Sequence, residues 1–210
     1  MNGFLIPQTD EFRGEYIPLC AQRVALMSGF TGSAGALVIL ADKALATTDS
    51  RYTIQIAQEV DSTLYNIVDQ AQVKMSNWIR ENTSNDDVIA YDPWLHTSAE
   101  IKNLEADGIK LRPVQGNLVD RIWNDRPVWP ETEVFLHDDK IVGRTSEEKR
   151  KLVSDELKKT SLDAFVLACP QSIAWILNVR ATDVPCTPLP LSYAVLYKEG
   201  TIDWFINKER

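Results

Sequence analysis

Apolar positions along the chain alternate between short unbroken runs and stripes of helical spacing. ALVIL (36–40) and ALATT (44–48) read as two strands joined through Asp42 and Lys43, a tight polar connection. DSRYTIQIAQEV (49–60) puts Tyr52, Ile56 and Val60 on one stripe of a helix, with Asp49 as its N-cap. TLYNIVD (63–69) predicts a strand, and KMSNWIRENT (74–83) a helix with Met75, Trp78 and Ile79 on one face. DVIAYDP (87–93) predicts the next strand, TSAEIKNLEADG (97–108) a helix capped by Thr97 and stopped by Gly108, and KLRPV (110–114) a further strand. Strand and helix in alternation predict an α/β unit whose mixed sheet is covered by helices.

The pattern changes around RPVWPETE (126–133), where Pro127 and Pro130 flank Trp129 close after Trp123. This stretch reads as an ordered linker held to the surface by its tryptophans. A second unit follows: a charged helix over 145–160 with an imperfect capping box, a strand over 164–170, a helix over 171–179, the proline-rich TDVPCTPLP, and two strands in SYAVLYKEG and TIDWFINKER. Its segment ILNVRATDVPCTPLPLSYAVLYKEGTIDWF occupies the place that LMSGFTGSAGALVILADKALATTDSRY holds in the first unit, each a helix, a special loop and a hairpin. The domains expected are therefore 1–137 and 138–210, related to one another. The second reaches Arg210 where its next helix is due, so a fragment of a longer protein is expected.

Composition narrows the function. Hydrophobic residues make up 44% and charged residues 25% of the chain, which fits a packed globular protein. A net charge of -8 argues against nucleic acid or an anionic membrane as a general partner, because both require clustered cations. No apolar run reaches the roughly 18 residues of a membrane span and no signal-peptide layout opens the chain, so a cytoplasmic protein is expected. Three widely spaced cysteines and two isolated histidines give no metal template. His137, Asp138 and Asp139 form a triplet, but adjacent side chains diverge and a solvated turn is expected there.

SGFTGSAG (28–35) packs three glycines into eight residues ahead of an apolar strand. No lysine follows for a phosphate-binding P-loop, the spacing is not that of a dinucleotide fingerprint, and Ser33 lacks the strand–elbow–helix setting of a nucleophile. Gly29, Gly32 and Gly35 are expected to serve a sharp reversal. Arg51 stands in the first turn of its helix, where the macrodipole disfavours a cation, so it should have an anionic partner. That partner is either a nearby carboxylate, Asp49 or Asp42, or an anionic group of a ligand gripped by the guanidinium. Arg180 near a helix C-terminus is favoured by the dipole, and Asp183 follows it. Trp175, Trp204 and Phe205 are expected in the core.

Taken together, SGFTGSAG, TTDSRY, NLVDRIWNDRPVWP and SIAWILNVRATDVPCTPLPLSYAVL resemble the N-terminal region of the creatinase/aminopeptidase P family of metallopeptidases, in its long, three-domain form. Ser50 stands where many members carry glycine, giving DSRY for DGRY. The resemblance implies two ribonuclease-H-like domains, the second incomplete here, and removal of an N-terminal residue that precedes proline. It places that hydrolysis in a separate catalytic domain that holds two divalent ions, usually manganese. This chain matches none of that domain's metal ligands, so the resemblance implies no catalytic residue, metal or cofactor within it and no activity by itself. It implies Arg51 as a substrate-binding residue, with Arg180 and Asp183 structural. Proline-containing peptides, the catalytic domain and a second copy in a homodimer are the implied partners. A catalytically silent peptide- or histone-binding module of the same architecture, or a prolidase- or creatinase-type relative, is the alternative; two repeats argue for the three-domain form.

Overall fold

The computed structural model describes residues 2–209, apart from the side chain of Asp139. The chain forms two compact units. One comprises the residues up to Glu11 together with Cys20–Pro127, the other Phe12–Leu19 with the residues from Val128 onward.

In the first unit six strands form one sheet, in the order β4-β3-β2-β1-β5-β6. They are β1 (Gly3–Pro7), β2 (Ala36–Leu40), β3 (Ala44–Thr48), β4 (Tyr65–Asp69), β5 (Ile89–Tyr91) and β6 (Leu111–Pro113). β2 runs antiparallel to both β1 and β3, with Leu5 opposite Val38 and Val38 opposite Leu45. β4 joins β3, β5 joins β1 and β6 joins β5 in parallel. The helices are α1 (Arg23–Ser28), α2 (Thr53–Glu59), α3 (Met75–Asn82) and α4 (Ser98–Ala106). The sheet is buried on both faces, and strand alternation sorts the side chains between two cores. Phe4, Ile6, Leu37 and Ala46 pack with Val24, Phe30, Ile56 and Val60 on the side of α1 and α2. Leu5, Val38, Leu40 and Leu45 pack with Trp78, Ile79 and Ile109 on the other. Two covered faces are why ALVIL shows no polar alternation.

The sequence pattern leaves β1 unmarked, although this strand lies inside the sheet and pairs on both edges. GFLIP is five residues long and apolar throughout, too short for its periodicity to separate strand from helix.

The second unit contains α5 (Asp139–Val142), α6 (Ser146–Lys159), α7 (Pro170–Leu177), a ribbon of β7 (Phe135–Leu136) with β9 (Val179–Arg180), and an antiparallel sheet of β8 (Ala164–Leu167), β10 (Tyr193–Tyr197) and β11 (Ile202–Phe205) in the order β11-β10-β8. α6 opens with a complete reciprocal cap rather than an imperfect one: Thr145 Oγ1 accepts from Glu148 N while Glu148 Oε2 accepts from Thr145 N. Leu157, Ile173 and Ile176 pack on Leu167, Ala194 and Leu196. Trp204 packs against this cluster, but Trp175 and Phe205 are about half exposed instead of buried, at 51% and 56%. Asp138 serves as N-cap of the short α5, accepting from Lys140 N; the Asp139 side chain lies outside the described residues.

The internal repeat is visible in three dimensions. β1, α1, β2 and β3 correspond to β8, α7, β10 and β11, and each hairpin runs antiparallel beside the strand that opens its copy of the repeat. Both helices end on a left-handed residue, Gly29 at φ +79° and Asn178 at φ +55°.

Candidate functional site

The glycine loop and the segment after β3 fold against each other at one end of the first unit. Ser28 closes α1 by donating to Val24 O and accepting from Phe30 N. At Gly32 an added Cβ would lie 2.2 Å from Phe30 Cζ and 2.9 Å from Tyr52 Cδ1, and at Gly35 2.7 Å from Thr47 O. Neither position has room for a side chain, so at these two glycines the requirement is packing; of the three loop glycines only Gly29 takes the left-handed backbone, at φ +79°. Thr48 Oγ1 donates to Ala34 O and ties the loop to the end of β3.

Glu59, near the end of α2, holds the loop from the other side. It accepts from Thr31 N at 2.8 Å, from Thr31 Oγ1 at 2.9 Å and from Gln55 Nε2 at 3.0 Å. Partial desolvation pushes its carboxyl up, but the donations from Thr31 and Gln55 outweigh this and hold it below the ordinary range. Gln55 and Glu59 stand four residues apart on one helix face, the only sequence signal that this clamp offers.

Asp49 caps a single 3-10 turn, Ser50–Tyr52, which leads into α2. Its carboxylate accepts from Arg51 N at 3.0 Å, from Arg51 Nε at 3.1 and 3.2 Å, and from Arg51 Nη2 at 2.8 Å. The anionic partner that the position of Arg51 demands is therefore present within the chain, and it is Asp49. Arg51's side-chain hydrogen bond is the main cause that lowers the Asp49 pKa. The pair is open to solvent, with the Arg51 side chain 58% exposed, and the guanidinium carbon lies 5.2 Å from the centre of the Tyr52 ring. Tyr52 Oη in turn shares a 2.8 Å hydrogen bond with Ser33 Oγ, inside the glycine loop. The structure thus brings Arg51, Asp49 and SGFTGSAG together. Chemically, the arrangement is an exposed, braced guanidinium suited to a peptide carbonyl or carboxylate; it contains no nucleophile–base pair.

Arg180 and Asp183 belong to the second unit. Arg180 Nη1 donates to Ala174 O in α7 and to Val179 O in β9. Asp183 is buried and accepts from Thr132 N, Thr132 Oγ1 and Leu191 N. Both contacts fasten backbone. Among the described residues no group of three His, Cys, Asp or Glu is placed to hold a metal ion, so the donor set of a dinuclear centre does not fit these residues. No helix of the described residues is long and apolar enough to cross a membrane.

The chain belongs to the creatinase/prolidase N-terminal domain family, whose models match residues 3–122 and 125–210. Within that class it is similar over its whole length to a probable Xaa-Pro aminopeptidase P of Talaromyces marneffei, at 36% identity over 33% of that protein. A probable Xaa-Pro aminopeptidase P of Ajellomyces capsulatus is 34% identical over 99% of this chain and 34% of its own length. Among solved structures, the X-prolyl aminopeptidase of Caenorhabditis elegans, described as a cytosolic enzyme with a di-nuclear active site, superposes with a TM-score of 0.91 at 33% identity. It covers 100% of this chain, which covers 35% of that one. The chain spans about a third of the length of these relatives.

Proposed function

We propose that these residues form the noncatalytic, substrate-positioning region of a metal-dependent Xaa-Pro aminopeptidase, which releases the N-terminal residue preceding proline from peptides. The observation that carries the reading is the presentation of Arg51: exposed, yet gripped by Asp49 along one edge of its guanidinium. A guanidinium fixed in this way can grip a peptide carbonyl or carboxylate and align the substrate without taking part in bond breaking. In this reading the two divalent ions, with manganese as the expected metal, are held by residues outside this chain. The two units also contribute to assembly with the catalytic domain and to a cytosolic homodimer.

The test is peptidase activity of the full-length protein, with Mn(II), on a peptide beginning Xaa-Pro. Arg51→Ala is expected to lower kcat/KM about 10- to 100-fold, the worth of a charge-assisted hydrogen bond, with the fold retained. An active wild type with an unaffected variant would return Arg51 to an ion pair with Asp49. No activity in the wild type would favour a catalytically silent binding module.

A further inference from the structure

We infer that Tyr52 is the positioning residue for Arg51, and that the glycine loop acts on substrate binding through it; the inference rests on Arg51 as the substrate-binding group proposed above. Asp49 grips the guanidinium along the edge carrying Nε and Nη2. A planar group held along one edge can still pivot about that edge. The Tyr52 ring, 5.2 Å below the guanidinium carbon, supplies the missing restraint by offering an aromatic face to the cation.

The ring is itself immobilised from the loop. Its hydroxyl is bonded to Ser33 Oγ at 2.8 Å. The ring meets that of Phe30 in a T-shaped contact, with centroids 5.9 Å apart and planes at 84°. Gly32 lies so close that an added Cβ would come within 2.9 Å of the ring. Phe30 is buried in the core of the sheet. A continuous chain of contacts therefore runs from core to Phe30, to Tyr52, to Arg51. SGFTGSAG carries no reacting group, but it sets the plane in which the guanidinium meets its ligand.

The experiment is a double-mutant cycle in the full-length protein, with KM and kcat measured on an Xaa-Pro peptide. Tyr52→Leu is expected to raise KM about two- to fivefold, the worth of an exposed cation–π contact, with kcat little changed. In the Arg51→Ala background the same substitution should leave KM almost unmoved, because the two residues act as one. Tyr52→Phe, which keeps the ring and loses the Ser33 bond, should fall between. If Tyr52→Leu fails to fold, Ser33→Ala provides the same cycle from the other end of the hydrogen bond. An equal KM cost with and without Arg51, or no cost in an enzyme that Arg51→Ala impairs, overturns the inference alone. An Arg51→Ala enzyme with wild-type KM overturns the reading of Arg51 and this inference with it.

Discussion

The two helix–loop–hairpin copies reverse the chain by different means. In the first, α1 gives way to β2 through residues 29–35, a loop short enough that backbone and neighbouring rings touch wherever a glycine stands. In the second, α7 gives way to β10 through residues 178–192, a longer path with three prolines, in which β9 pairs with β7 on the way. Gly29 ends the first helix with no side chain. Asn178 ends the second, and its amide is put to use: Oδ1 accepts from the buried Lys149 Nζ and Nδ2 donates to Arg144 O. Lys149 Nζ also donates to Trp175 O, and Arg180 to Ala174 O, so two cations meet the carbonyl end of α7. Burial pushes the Lys149 amine down, and Arg180 adds to the effect. In the first copy a carboxylate from outside the loop, Glu59, clamps it; in the second the loop supplies its own, Asp183. A short loop has no length to spare for its own anchors and borrows them from a neighbouring helix. A long one folds around an anchor of its own.

Breaking the internal anchor should have the largest effect. Asp183→Ala leaves the N–H groups of Thr132 and Leu191 without their acceptor at a buried site, and a loss of about 3 kcal/mol is expected from urea unfolding. The equivalent break in the short loop is steric. Gly32→Ala should cost about 2 kcal/mol, since Phe30 must leave its place in the core to admit the methyl group; loss of near-ultraviolet aromatic dichroism would accompany it. The exposed clamp should have the smallest effect, and one that depends on pH. The Glu59 pKa is lower in the folded than in the unfolded chain. Its contribution is therefore full above the ordinary glutamate value of about 4.3 and is lost as pH falls through the lower, folded value. The protection factor of the Thr31 amide should fall over that acid range in the wild type, while Glu59→Gln should show a lower protection factor that does not change with pH. An unchanged Thr31 exchange rate in Glu59→Gln would mean that Thr48 and Ser28 hold the loop without the clamp.

Much of this was legible in the sequence because its causes are local. The caps at Asp49, Thr97 and Thr145, the turn at Asp42 and Lys43, and the stripes of α2 and α3 each arise within a few residues. Tyr52 belonged to a recognisable motif, and Arg51 could be singled out from its misfit with the helix dipole alone. What escaped was non-local. β1 gains its identity from partners more than thirty residues away, Val38 and Ile89 among them, and nothing within GFLIP states that it lies between two strands. The exposure of Trp175 likewise depends on what covers α7, not on its own hydrophobicity.

The sequence by itself determined the α/β class, the internal repeat, the family resemblance and the choice of Arg51 as the candidate substrate-binding residue. These follow from periodicity, capping and motif, which are written in neighbouring residues. Only the tertiary structure decided that Asp49 rather than Asp42 pairs with Arg51, that Glu59 clamps Thr31, and that Ser33 reaches Tyr52. Each of those choices depends on where the sheet carries two distant segments, and a side chain a few ångströms out of reach contributes no hydrogen bond at all.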